Sequence, residues 1–247
     1  MKKLIFPAML FLLAGCAAQG THSEDDVAKR HRAGLHAELG GGYFAQGRLA
    51  LALQEFTEAT KIDPGYAPAY SGLGLVHAAL HQDDKAETNY KQALRLDPES
   101  SEVHNNYGTF LCSRDRIDES ITEFMTAVRN PLYPTPQSAY LNAGICSLKK
   151  QDDKSAEAYL LRALQIQPSL NQASSRLAQL YFKQGKLLQA RKYLELAMRN
   201  VEPSPDMLWL GVRIERVLGD RNAEASYSML LRNQYPDSDQ TKAMLSE

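Results

Sequence analysis

Ala59-Thr60-Lys61-Ile62-Asp63-Pro64, Ala93-Leu94-Arg95-Leu96-Asp97-Pro98 and Ala163-Leu164-Gln165-Ile166-Gln167-Pro168 are three versions of one phrase. Pro64 and Pro98 stand 34 residues apart, and Pro98 and Pro168 stand 70 apart, two periods plus two residues. A repeat of this length accommodates two helices and a turn. Proline cannot continue a helical hydrogen-bond ladder, so each phrase reads as the end of a second helix. Working outward, small residues recur at Gly40, Gly74, Gly108, Gly144 and Ala178, and again at Ala52, Ala86, Ala156 and Ala190. Small side chains at matched places on two helices let the pair approach closely. Tyr43, Phe56, Tyr90, Phe124 and Tyr181 supply the bulk that fills the remaining space. No single pair can bury its apolar face, so neighbouring pairs must stack. No strand is required anywhere.

The period and these residues resemble the tetratricopeptide repeat. Units start near Ala33, Ala67, Ser101, Gln137, Asn171 and Pro205; the third lacks its closing proline, and the sixth is degenerate, closing at Pro236. The expected fold is therefore all-α, a right-handed superhelical solenoid of about six tetratricopeptide repeats over 33–238, followed by a tail over 239–247. The resemblance implies that the first helix of each repeat lines a concave, protein-binding groove. The groove residues it points to are Ala37, Gly41 and Phe44; Ser71 and Leu75; Asn105 and Thr109, with Cys112 nearby; Leu141 and Ile145; and Phe182. Phe44, Leu75, Leu141, Ile145 and Phe182 either offer an apolar surface to a partner or pack between adjacent first helices. Ala37, Gly41 and Ser71 stand where a carboxylate clamp would need cations or amides, so no such clamp is expected.

The chain opens MKKLIFPAMLFLLAGC. Lys2 and Lys3 precede an apolar run, Leu4 to Leu13, that is too short to span a bilayer, which takes about 20 residues, and has signal-peptide length. Leu13-Ala14-Gly15-Cys16 resembles the lipobox of bacterial lipoproteins. That resemblance implies a signal peptide over 1–15, lipidation at Cys16, and a flexible tether over 16–32. Ala17, where lipoproteins kept at the inner membrane carry Asp, implies the outer membrane facing the periplasm. Several acyl chains on one residue anchor firmly, at about 0.8 kcal/mol per buried methylene.

Composition is that of a globular chain, 44% hydrophobic and 23% charged, with a net charge of −1 and no basic stripe, which argues against nucleic acid. No cysteine pair has metal-ligand spacing. Cys112 and Cys146 read as small buried hydrophobes, with a disulfide open to them in an oxidising compartment. No GxSxG, HExxH, Walker or GxGxxG phrase occurs. His77 and His81 share helical spacing but have no well-placed acidic third ligand. The acidic pairs Asp83-Asp84 and Asp152-Asp153 read as caps and dipole partners of the following helices. We therefore expect no enzyme, cofactor, metal or small-molecule substrate.

Asn105-Asn106-Tyr107-Gly108-Thr109-Phe110-Leu111, Leu132-Tyr133-Pro134, the two-residue insertion, the lipobox and Ala225-Ser226-Tyr227 with Tyr235-Pro236 together resemble the type IV pilus biogenesis lipoprotein family of PilF and PilW. The resemblance implies a pilotin-like partner for a pilus secretin, helping it localise or multimerise in the outer membrane. A general adaptor for envelope or cell-wall enzymes is the alternative.

Overall fold

The computed structural model describes residues 24–246, and these contain thirteen helices and no strand. The signal peptide over 1–15 and the lipidation site Cys16 lie outside the described residues. The helices pair as α1 (Glu24–Ala45) with α2 (Leu49–Ile62), α3 (Ala67–Ala79) with α4 (Asp83–Leu96), and α5 (Ser101–Ser113) with α6 (Ile117–Ala127). Then α7 (Pro136–Lys149) pairs with α8 (Asp153–Ile166), α9 (Asn171–Lys183) with α10 (Leu187–Ala197), and α11 (Pro205–Leu218) with α12 (Arg221–Gln234). Each first helix also touches the first helices before and after it, and each second helix touches the next first helix. The result is the superhelical tetratricopeptide-repeat solenoid that the 34-residue period predicts.

The small positions do what close approach requires. A Cβ built on Gly108 would sit 2.8 Å from the Phe124 ring, and one on Gly144 would sit 2.7 Å from Leu160. Phe124, Leu160 and Leu194 are fully buried at corresponding places on α6, α8 and α10. The turns inside the repeats share one backbone device. Gly47, His81, Asp115, Gln151, Gly185 and Gly219 all take φ between 57° and 79°. Glycine adopts this left-handed conformation freely, whereas three of these turns hold side chains there. Second helices closed by proline run 14 residues, but α6 and α10, which lack it, stop after 11. Prolines come later instead, at Pro131, Pro134 and Pro203 in the linkers and at Pro136 and Pro205, which open α7 and α11.

Tyr90 on α4 takes the place that Phe56 and Phe124 take in the flanking repeats. It is fully buried, against Tyr107 and Phe110, and its hydroxyl has no hydrogen-bond partner among the described residues. An unpaired buried hydroxyl costs about 1–3 kcal/mol. Tyr90→Phe should therefore raise the unfolding free energy by about 1 kcal/mol in a urea titration. Loss of stability would mean that the hydroxyl is satisfied.

Salt bridges bind one repeat to the next. Arg116 reaches Glu87 (2.7 Å), whose carboxylate also takes Lys91 and the Tyr107 hydroxyl (3.0 Å). Arg116 first, then Lys91 and Tyr107, hold the Glu87 pKa down to about 2. Lys186, Glu157 and Tyr181 repeat the arrangement two repeats later. His104 places Nδ1 2.5 Å from Glu123 and Nε2 2.9 Å from the Pro98 carbonyl. Both partners are acceptors. Burial opposes the charge, yet these two contacts outweigh it and raise the imidazole pKa.

Both ends of the solenoid differ from expectation. The tether over 16–32 is helical from Glu24, because α1 extends about two and a half turns ahead of Ala33. Glu24, Asp25 and Asp26 oppose the positive helix end, and Lys29 pairs with Asp25 one turn on (2.6 Å). The tail over 239–247 is likewise ordered into α13 (Asp239–Ser246). The Ser238 hydroxyl accepts from the Thr241 N–H, and buried Thr241 donates to the Tyr235 carbonyl (2.7 Å). Helix α13 packs on α11 and α12, where the first helix of a further repeat would sit. It closes this end, as a solenoid cap does.

Candidate functional site

The concave side is built by the first helices, and its character changes along the chain. At the N-terminal end a pocket of about 250 Å³ opens between α1, α3 and α5. Four of the predicted groove residues line it together: Ala37 and Gly41 from α1, and Ser71 and Leu75 from α3. The pocket exists because its walls are small. Gly34, Gly41 and Gly72 present no side chain, and Phe56 lies so close beneath Gly72 that a Cβ there would meet its ring at 2.1 Å. A Cβ on Gly41 would meet nothing within 4 Å. Glu38 and Glu102 stand on the rim.

The middle of the face is polar and uncharged. Asn142 on α7 donates through Nδ2 to Asn105 Oδ1 (3.0 Å) and Thr109 Oγ1 (3.3 Å) on α5. Asn106 donates to Ser71 Oγ across α5 and α3 (3.3 Å), while also lining the pocket. Asn105 and Thr109 were expected here. Asn106 and Asn142 were not, although each occupies the same register as the other in its repeat, next to the position used for the expectation.

The larger apolar residues divide. Phe44 is half-buried against Ala52, Phe56, Leu73 and Val76, and Leu75 keeps part of its surface in the pocket while packing on Tyr107, Phe110 and Leu111. Leu141, expected in the groove, is a core residue. It is 7% exposed and sits in a cluster with Leu177, Tyr181 and Ile214. Ile145 and Phe182 are half-buried on that same cluster. The reason is steric. Where neighbouring first helices carry Leu or Ile rather than Gly or Ala, those side chains fill the space that forms the pocket farther back.

Cys112 is also unavailable to a partner. It is buried and bonded to Cys146, with the two Cα atoms 5.9 Å apart, so a disulfide joins α5 to α7. Lys149 donates to the Cys112 carbonyl (2.9 Å) and pairs with Asp115 (2.7 Å) beside it.

Of the acidic pairs, Asp152 caps α8, accepting from the Ser155 N–H, and its pKa is lowered by those contacts with Ser155. Asp83 takes a different role: it lies inside the first turn of α4 and receives Arg114 through two hydrogen bonds, 2.6 and 2.7 Å. The His77 ring meets Gln82 at 2.8 Å, and His81 occupies the left-handed turn position. Among the described residues no group of three or more His, Cys, Asp or Glu side chains could hold a metal ion.

These features can be set beside known proteins. Models of the tetratricopeptide repeat match residues 40–80, 67–100, 89–122, 137–170 and 172–199, together more than half of the chain. The type IV pilus assembly protein PilF of Pseudomonas aeruginosa is 29% identical over 237 residues, covering 94% of each chain. The crystal structure of PilW, a widely conserved type IV pilus biogenesis factor, superposes with a TM-score of 0.78 at 34% identity, over 86% of this chain and 98% of PilW. The structure of Pseudomonas aeruginosa PilF superposes with a TM-score of 0.80 at 27% identity, over 89% and 99% of the two chains. With the repeat, the order of helices and nearly the full length of those relatives in common, the chain belongs to the tetratricopeptide-repeat family of type IV pilus biogenesis factors that includes PilF and PilW.

Proposed function

We propose that this chain acts in type IV pilus biogenesis as an outer-membrane lipoprotein, held through Cys16 and facing the periplasm. Its concave face binds a segment of the pilus secretin and promotes the secretin's multimerisation. The mechanism is capture rather than catalysis. Membership of the PilF and PilW family supports the pilus role. The observation that carries the binding role is the open pocket of Ala37, Gly41, Ser71 and Leu75, a concave apolar site whose size is set by missing side chains. Anchoring the solenoid at the membrane raises the effective concentration of a captured segment there.

Gly41→Trp tests this reading with little disturbance to the fold, because a side chain at Gly41 enters open space. Stability should stay within about 0.5 kcal/mol of the parent, as for other surface changes. Secretin multimers in the outer membrane should fall and surface pili should be lost, as in a strain lacking the gene. Normal multimers and twitching in the deletion strain would sink the proposal. Retrieval of cell-wall enzymes in place of a secretin by affinity capture would replace it with a general envelope adaptor.

A further inference from the structure

The concave face is polarised in charge, and the C-terminal end lacks the acidic partners that its cations have elsewhere. Lys149 is neutralised by Asp115 and Lys183 by Asp153 (3.1 Å). Two guanidinium groups on α9 and α11 are not neutralised in this way. Among the described residues Arg176 meets only Gln179 Oε1, at 3.3 Å. Arg213 lies over the Phe182 ring, 4.6 Å from its centroid, and has no carboxylate partner among the described residues. The nearby acids are committed. Glu215 is buried against Arg191, and Asp206 receives Gln240 at 2.6 Å. A guanidinium stacked on a ring is fixed in its plane and keeps its N–H edge available for a bidentate carboxylate.

The rest of the face sets the form of the occupant. Asn142 spends its Nδ2 on Asn105 and Thr109, which leaves its own carbonyl and the Asn105 NH₂ group without partners among the described residues. One acceptor and one donor side by side match the main chain of an extended segment. A helical segment has already used those groups internally. Glu38 and Glu102 on the rim of the N-terminal pocket repel an acidic residue there.

We propose that the C-terminal half of the concave face is a receptor for acidic side chains of an extended partner segment, whose apolar residue fills the pocket at Gly41 and Leu75. The inference rests on the reading of the concave face as the partner groove, and it specifies the chemistry of the segment and which end of the face each part occupies. The Asn105–Asn142 pair holds its main chain between the two ends.

The test is selection of random dodecapeptides, displayed as N-terminal fusions with no free C-terminus, on the immobilised full chain at low salt. Groove binders should carry an apolar residue and, C-terminal or N-terminal to it but always on one side, Asp or Glu. Synthetic versions should weaken by at least about tenfold against Arg213→Gln and Arg176→Gln, both surface changes, with charge-assisted hydrogen bonds at stake. Salt should weaken binding to the parent more than to either variant. Peptides that lose binding to Gly41→Trp, yet show no acidic bias or bind both arginine variants unchanged, overturn the acidic receptor and leave the groove reading standing. Peptides indifferent to Gly41→Trp and to both arginine changes, or a selection that yields no groove binder, overturn this inference together with its premise.

Discussion

Removing the disulfide, by Cys112→Ala with Cys146→Ala or by reduction, should lower the unfolding free energy by about 4 kcal/mol. The bond closes a loop spanning 34 residues of sequence separation. The loop entropy withdrawn from the unfolded chain by a closure of this length is worth about 4 kcal/mol at 25 °C. Alanine suits the test because neighbouring core positions in this cluster, Ala139 and Ala143, are already fully buried alanines. The location adds a second expectation. The bond joins α5 to α7 where the period is broken by two extra residues, and it lies beside the Asn105–Asn142 contact. Solenoid stability is a sum over repeats and nearest-neighbour interfaces. Weakening one interface should therefore separate the unfolding of the first three repeats from that of the last three, and the urea transition should broaden. Coincident single transitions with the same midpoint, with and without reductant, would show that the bond contributes nothing.

The parts of this architecture that were legible in sequence are those where geometry permits few residue types. Gly108 and Gly144 must be small because a ring or a leucine lies under 3 Å from where a Cβ would be. Such constraints recur with each repeat and so announce the period. Groove membership is less legible, because one register can be open or filled. Ala37 and Ser71 line a pocket, whereas Leu141 at the same register is core. The difference lies in its neighbours: glycines surround the first two, while Leu177 and Tyr181 pack against the third. The disulfide was left open in sequence, not decided, for a related reason. Cys112 lies four residues after Gly108, but Cys146 lies only two after Gly144. The insertion puts the two sulfurs at different places in their repeats, and only the stacked helices bring them together. Glu24 to Arg32 read as a polar tether because it has no apolar stripe; continuity with the packed part of α1 is what makes it helical.

Arg191→Met should cost about 3–5 kcal/mol, the usual penalty for stripping the partner from a buried charge. Glu215 on α11 keeps only 3% of its side chain exposed and is bound by Arg191 on α10, through Nε at 2.9 Å and through a second nitrogen. Arg191 itself is 30% exposed and also approaches Asp220 (3.6 Å), so a fully buried pair is not at stake. The asymmetry decides the size of the effect. Loss of the arginine leaves a desolvated carboxylate, whereas Arg191→Met combined with Glu215→Met removes both charges and should recover most of the loss. A single variant within about 1 kcal/mol of the parent, or a double variant no better than the single, would contradict the argument. The pair also has a meaning that its energy does not capture. In the second and fourth repeats the acid is on the second helix, Glu87 or Glu157, and the cation comes from the repeat that follows, Arg116 or Lys186. Between the fifth and sixth repeats the order is reversed, with the cation on α10 and the acid on α11. Placed after the second or fourth repeat, α11 would set Glu215 near another acid. The reversed pair thus admits the last repeat, and the cap α13 that it carries, at one end of the stack.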